Sequence, residues 1–461
     1  MKLGTKKVIL AFASAVIILV AVISLLLPVR LAGFLPAHMN QTESVSKAPS
    51  SKTPLASPDV NVAAFKGQGR LAFVRDGLLY VLDGRTGTVR QVTADGTAKN
   101  PAWSHDGKWL AFMHATDSQT FDVWLERQDG TQAHHIPGSY CQFSWSPADD
   151  LLAVGGQNGI WLVPLTGKPY QLVDVVTSAP VWSPDGKQLA YTVTLPYDSK
   201  HPEDRSDALY TIGINGGQPR PQAGTRRLVA PRAGIWLAGA GWWPDGKGLL
   251  YWLDPWHGLS AAADGLNLYS LQLGSDKPKS LAHGLTNPQW LSLAPQGRLL
   301  MVTGGLRIIW ANKSLALINM ESGQVQKLPN PTGCVAIDPS LSADGRRIAF
   351  VAARDLGDQV WGFNNARDLA SWVASRTLWV ENADGSGAHP LPSAGRGIYQ
   401  PIWSRDGRHI LYVRDNSLWL IDAAGGEPAK ICGPLTAEYP DAGSFGFYGF
   451  ISYGNQIWYQ P

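Results

Sequence analysis

The chain has 461 residues, a formal net charge of +3, 44% hydrophobic residues and only 16% charged ones. That length exceeds one ordinary compact domain unless the architecture is a repeat or a barrel, and the low charge argues against a disordered chain. So small a net charge leaves no broad basic face, which excludes nucleic acid as the expected partner.

The amino terminus comes first. Lys2, Lys6 and Lys7 precede an uncharged apolar run from Val8 to Leu27. At helical rise this run spans the hydrocarbon core of a bilayer. Basic residues stay on the cytoplasmic side, so the remainder faces outward. The expected organisation is a cytoplasmic tail (1–7), a transmembrane signal anchor (8–27), a flexible linker (28–60) and one exported domain (61–461). A cleaved signal, cut between Ala32 and His38, is the alternative and exports the same domain. No Cys follows the apolar run closely, so a lipid anchor is not expected. The stretch from Asn40 to about Val60 is rich in Ser, Thr, Pro, Ala and Lys, as in a tether.

From about residue 61 the chain repeats itself. Nineteen Trp and 49 Gly suit strands joined by tight turns. The clearest unit is Pro180-Val181-Trp182-Ser183-Pro184-Asp185-Gly186-Lys187, then Leu189-Ala190-Tyr191. Pro101 to Phe112 (PAWSHDGKWLAF) and Pro401 to Tyr412 (PIWSRDGRHILY) match it; Phe143–Val154, Gly241–Trp252, Gln289–Val302 and Pro339–Phe350 are looser copies. Each is followed by a second apolar stretch such as Val123-Trp124-Leu125 or Leu418-Trp419-Leu420, a turn such as Asp129-Gly130, and a short last strand such as Tyr170–Val173. Asp-Gly between apolar runs signals a hairpin. Each unit is therefore four short strands, a to d, and units of this kind are propeller blades. The expected fold is an all-β propeller of eight blades, with seven as the next choice. Val62–Phe65 is a candidate degenerate first strand. The tail, with Phe447–Tyr453 and Gln456–Tyr459, is a candidate to complete the first blade and close the ring.

This blade motif resembles the TolB-like propeller repeats of exported bacterial proteins, over about residues 61–435. The resemblance implies the propeller fold. It is shared by periplasmic TolB, by many exported proteins and by propellers attached to prolyl oligopeptidase-like hydrolases. The separate amino-terminal domain of TolB has no counterpart here; the anchor and tether stand in its place.

The repeated Trp-Ser-x-Asp-Gly serves every blade, so it reads as a turn and a packing residue rather than one site. Ser104-His105-Asp106 belongs to that turn and is not a triad. The chain carries no G-x-S-x-G, H-E-x-x-H, P-loop or EF-hand motif. His134-His135 reads as a surface pair. Cys141, Cys334 and Cys432 fit no metal motif or disulfide framework and read as small apolar strand residues, with any pairing left open. No metal or cofactor is expected.

Insertions are the more informative departure. Pro196–Asp207, Asp254–Gly265 and Arg354–Arg376 interrupt b–c connections and Gln218–Gly239 a d–a connection. Antiparallel alternation puts all four on one rim, and long loops in a compact fold are commonly functional. They carry Tyr197, His201, Trp236, Trp256, His257, Trp361 and Trp372, with Arg205, Arg226, Arg227, Arg232, Arg367 and Arg376 among them. Trp with Arg suits recognition; the competing reading is that the rings pin the loops to the body. The binding candidates are Tyr197, His201, Arg232, Trp236, Trp256, His257, Trp361, Arg367 and Trp372. Asp198, Glu203, Asp204 and Asp207 read as a solvated acidic loop rather than a Ca²⁺ site, and a short helix is expected within Arg354–Ser375. The expected function is a binding scaffold for another envelope or secreted protein, or a glycan. The alternative is a carbohydrate-active lyase or hydrolase with Asp198, His201, Asp254 and His257 at the central pore.

Overall fold

The computed structural model describes residues 59–460 apart from 117–120, 139, 157, 179, 195–206, 222–233, 256–263, 295, 361–365, 436–452 and 455. The expected anchor and most of the tether lie outside the described residues. Among the described residues no helix is long and apolar enough to cross a membrane.

Eight antiparallel sheets follow one another along the chain. Blades 2 to 7 are consecutive four-stranded meanders. Blade 2 is typical, with Ala98–Trp103, Trp109–Ala115, Phe121–Arg127 and His134–Ile136 from inner to outer edge. Blade 8 is Tyr399–Trp403, His409–Arg414, Ser417–Asp422 and Ala429–Gly433, with Asp59–Val60 added on its outer edge. Blade 1 takes its inner strand from the other end of the chain: Ile457–Gln460 pairs with Arg70–Arg75, ahead of Leu78–Asp83 and Thr88–Gln91. The tail therefore completes the first blade. Val62–Phe65, a candidate for that strand, is a turn instead. Phe447–Gly449 and the residues up to 452 lie outside the described residues.

The b strands show why alternation of apolar and polar residues is missing from them. Successive side chains of a strand point to opposite faces. Leu152 and Val154 enter the cluster shared with blade 2, whereas Leu151 and Ala153 enter the cluster shared with blade 4. Both faces are interior, so all four are apolar. The buried clusters of the ring sit at such joints, and the one containing Phe73, Leu411, Val413 and Ile457 unites blade 8 with blade 1.

The a–b turns confirm the reading of the repeated motif. Ser183 Oγ donates to Asp185 Oδ1 (2.6 Å), which also accepts from Lys187 N (3.1 Å), while Gln188 N donates to Ser183 Oγ (2.9 Å). Gly186 closes the turn at φ +70°, which only glycine adopts without strain. The same set recurs at Ser104–Asp106, Ser342–Asp344 and Ser404–Asp406. The Ser183 hydroxyl, followed by the Lys187 N–H, holds the Asp185 carboxyl below the ordinary range. At Asp106 desolvation acts upward, yet hydrogen bonds from Lys108 and Ser104 outweigh it and bring the group to about 2.

The outer strand of a blade runs toward its d–a connection. Asp59 pairs antiparallel with Gly433, at that end of blade 8. The chain thus enters the propeller at the rim that carries the insertions.

Candidate functional site

Inner strands line the axis of a propeller, so the motif Trp stands at the channel wall. Its indole is used to bind blades together. Trp145 Nε1 donates to Ala102 O, Trp182 to Ser144 O, Trp242 to Val181 O and Trp403 to Ser340 O, each at 3.0 Å. In every case the acceptor belongs to the inner strand of the preceding blade. The donor is consumed and a ring edge or face remains at the wall.

A cavity of about 930 Å³ lies against the inner strands of blades 3 to 6, with Phe143, Trp145, Trp182, Trp236, Leu237 and Trp242 in its wall. Among the described residues lining it there is no Asp, Glu, Lys, Arg or His. A second cavity of about 690 Å³ shares Phe143 and Trp145 and extends to Trp103 and Trp458 of blades 2 and 1. Trp458 is 46% exposed, unusual for so large a ring on a central strand. The wall is thus an aromatic surface running from blade 1 to blade 6, without ionisable residues among those described on blades 3 to 6 and with His105 in the part nearer blade 1, of a size that receives a compact ligand or a chain segment.

The sequence candidates divide into three groups. Tyr197, His201, Arg232, Trp256, His257 and Trp361 lie outside the described residues, as do Asp198, Glu203, Asp204, Arg205, Arg226 and Arg227. Trp236 is described: it sits half-buried in the inner strand Gly234–Trp242, paired with Trp252, rather than in a loop, and it reaches the larger cavity. Arg367 and Trp372 stand on the expected helix, Ala366–Val373, with Arg367 exposed. Trp372 is fully buried. Its Nε1 donates to Arg354 O (2.9 Å) and its ring meets Trp310 edge-on at 6.1 Å. Trp372 is therefore corrected from a contact residue to an anchor that fixes the insertion to blade 7.

Other expected side chains are likewise structural. Arg376 is 1% exposed; its Nη2 donates to Asp338 Oδ2 (2.5 Å), its Nε to Ile398 O (2.8 Å), and it lies 4.0 Å from the Tyr399 ring centroid. Asp338 Oδ1 also accepts from Trp290 Nε1 (2.8 Å). Asp207 is buried in a strand and accepts from Thr194 Oγ1 (2.8 Å) and Ile235 N (2.9 Å). Asp254 is buried at the end of Gly248–Asp254. His134 and His135 are half-buried and separately engaged, not a surface pair: His134 packs on Trp109, and His135 stacks on Trp124 and meets Asp122 Oδ2 at 2.6 Å. Cys334 and Cys432 are free thiols in strands, and complete burial pushes Cys432 up to about 12.

Sequence reasoning missed three features. Lys313 is buried, with Nζ donating to the carbonyls of Gly305 (2.7 Å), Ala311 (3.0 Å) and Leu306 (3.1 Å). Burial lowers it to about 8, against the pull of Asp355. Such a lysine ties down the b–c loop of blade 6. His105, Asp106 and Asp150 bring their ligand atoms within 4.8 Å of one another at adjacent a–b turns. Asp106 is already committed there to Ser104 and Lys108. The indole staples are the third, and the fixed place of Trp in the repeat was the available signal.

The ring of four-stranded blades defines the class: this is an eight-bladed β-propeller. No protein-family model matches the chain and no curated protein does. Among solved structures it is similar to dipeptidyl peptidase 4 of Porphyromonas gingivalis, at 10% identity and a TM-score of 0.53, over 83% of this chain and 62% of that one. It is also similar to TolB of Acinetobacter baumannii (17% identity, TM-score 0.35, 73% of this chain and 66% of that one). A putative TolB of Agrobacterium tumefaciens matches at 16% identity and a TM-score of 0.34, over 75% and 99%. The chain thus spans under two thirds of the first two relatives, and such identities speak for fold alone. By blade motif and ring together, the fold is that of a TolB-like β-propeller.

Proposed function

We propose that the protein is a membrane-anchored, extracytoplasmic binding scaffold that receives an uncharged part of a protein or glycan at the insertion rim and the channel beneath it. The observation that carries this reading is the charge-free aromatic wall with Trp236 in it. Among the described residues of that wall a charged ligand would find no ionic partner and would lose its hydration. An apolar side chain or the C–H face of a sugar would gain contact area on the rings. Lys2, Lys6, Lys7 and the run Val8–Leu27 support the anchor and its orientation. The entry of the chain at the rim with the insertions supports attachment from that side.

The test uses the full chain in membranes with a photo-crosslinking residue at position 236, a second at exposed Val325 on blade 6's outer strand, and mass spectrometry of the products. A specific protein or glycan adduct at 236, absent at 325 and lost when Trp182→Ala opens the wall, supports the reading. Identical adducts at both positions would sink it. Turnover of a glycan by the same preparation would replace it with the carbohydrate-active reading.

A further inference from the structure

Blades 1 and 2 meet through an ion pair. Glu126, on the third strand of blade 2, accepts from Arg90 Nη2 at 2.5 Å. Arg90 belongs to the outer strand of blade 1. Its Nη2 also reaches Gln128 O (3.4 Å), at the end of blade 2's third strand. The carboxyl is 8% exposed; burial raises it above its ordinary value, and the Arg90 guanidinium pulls against that rise.

Blades 6 and 7 meet at the same place without the cation. Glu381 lies opposite Ile348, the second residue of its b strand, as Glu126 lies opposite Leu110, the second residue of its own. The two glutamates are therefore equivalent. In blade 6 the register places Gln326 where blade 1 has Arg90: Gln326 pairs with Leu317 and Leu317 with Leu300, as Arg90 pairs with Val81 and Val81 with Ala72. Gln326 reaches the adjoining turn of blade 7, donating from Nε2 to Asp384 O (3.2 Å). Glu381 is 3% exposed, and neither of its oxygens has a hydrogen-bond partner.

We propose that the joint between blades 6 and 7 is a pH-sensitive latch, closed while the Glu381 carboxyl is neutral and loosened when it ionises. Among the described residues no hydrogen bond or ion pair meets the ionised form. Asp384, in the adjoining turn, adds repulsion. Arg347, next along the b strand, points to the opposite face; it donates to Gly407 O and lies 4.7 Å from the Trp403 ring centroid in blade 8. Asp344 and Arg346 are held in the a–b turn, where Asp344 accepts from Ser342 Oγ and Arg346 N. From blade 6, Lys327 is exposed and alternates to the side away from Gln326. A buried carboxyl with no partner takes up a proton rather than remain charged. Burial, and after it the Asp384 charge, raises Glu381 from 4.5 to about 7.

The sign follows from linkage. The folded group holds its proton more tightly than the unfolded one. Its stabilising share is complete below the unfolded value of 4.5 and is lost as pH rises through about 7. The ring is thus tighter in mild acid than at neutral pH. The loosened joint includes Ala294 of blade 6, which belongs to the cavity wall.

The test is thermal unfolding of the full chain in detergent from pH 5 to 8, with hydrogen exchange of the Thr377–Asn382 amides corrected for intrinsic rates. Wild type should lose about 3–6 °C more over this range than Glu381→Gln. Opening of the wild-type segment should become roughly a hundredfold more frequent. Gln326→Arg, which rebuilds the Arg90–Glu126 pair at an exposed position, should flatten the pH profile with Glu381 intact. An unchanged slope in Glu381→Gln overturns the proposal. If that variant does not fold, Gln326→Arg decides: a profile as steep as that of wild type overturns it equally.

Discussion

Two arcs of the ring are joined by different means. From blade 2 to blade 5, each joint has its own small buried cluster and an indole hydrogen bond from one inner strand to the previous one. In blades 6 and 7 the residues at the Trp position are Leu293 and Leu341. In these two blades the bond is gone, and one large cluster fuses blades 6, 7 and 8 around the fully buried Trp290, Trp310 and Trp372, while Trp403 of blade 8 keeps its bond to Ser340 O. The open cavity lies mainly on the stapled arc. A staple fixes the spacing of two strands without filling the space beside them, so the wall can stay concave. At the joint of blades 6 and 7, where the staple is missing, bulk and buried charge hold the blades and the space is filled. Binding surface and stabilising core are thereby separated around one ring.

The sharpest way to break the fused arc is Arg376→Ala. The substitution leaves Asp338 without its cation and removes the donor to Ile398 O. Stranding one member of a buried pair costs about 3–5 kcal/mol. Denaturant unfolding should show the midpoint falling with an unchanged slope, and the loss should exceed that of any single staple variant. An effect below about 1 kcal/mol would mean that the arc is held by its apolar contacts alone.

Legibility of the fold was high because blade physics is local. Asp-Gly turns, b strands apolar on both faces and Trp at a fixed offset each announce themselves within a few residues. Blade count and tail closure followed from the same marks. The inner strand of blade 1 was misplaced in one candidate because Val62–Phe65 is apolar enough for a strand; ring closure, a property of the whole chain, decides between it and Ile457–Gln460. The site was less legible. Trp236 and Trp372 look alike as aromatic residues in insertions, yet one reaches the cavity and the other is sealed under Arg354. Sequence shows that a ring is present, whereas its direction depends on contacts far along the chain. Glu381 was invisible for a related reason: its oddity is the absence of Arg at Gln326, and only register brings those two positions together.

The stapled arc offers a finer test, since one motif Trp lacks its bond. Trp103 Nε1 is buried with no acceptor, at the joint where blade 2 meets the closing strand Ile457–Gln460. Trp182 has the same place in its blade and donates to Ser144 O. Both are nearly buried, at 4% and 6% exposure, so Trp→Phe removes similar apolar area from each. Trp182→Phe also leaves a carbonyl without its donor. It should cost about 2–3 kcal/mol in denaturant unfolding. Trp103→Phe should cost about 1 kcal/mol less, because no bond is lost and an unmet donor is removed. That difference measures the staple itself. Equal losses would show that the indoles act by shape alone, and the contrast between the two arcs would then rest on packing rather than on hydrogen bonding.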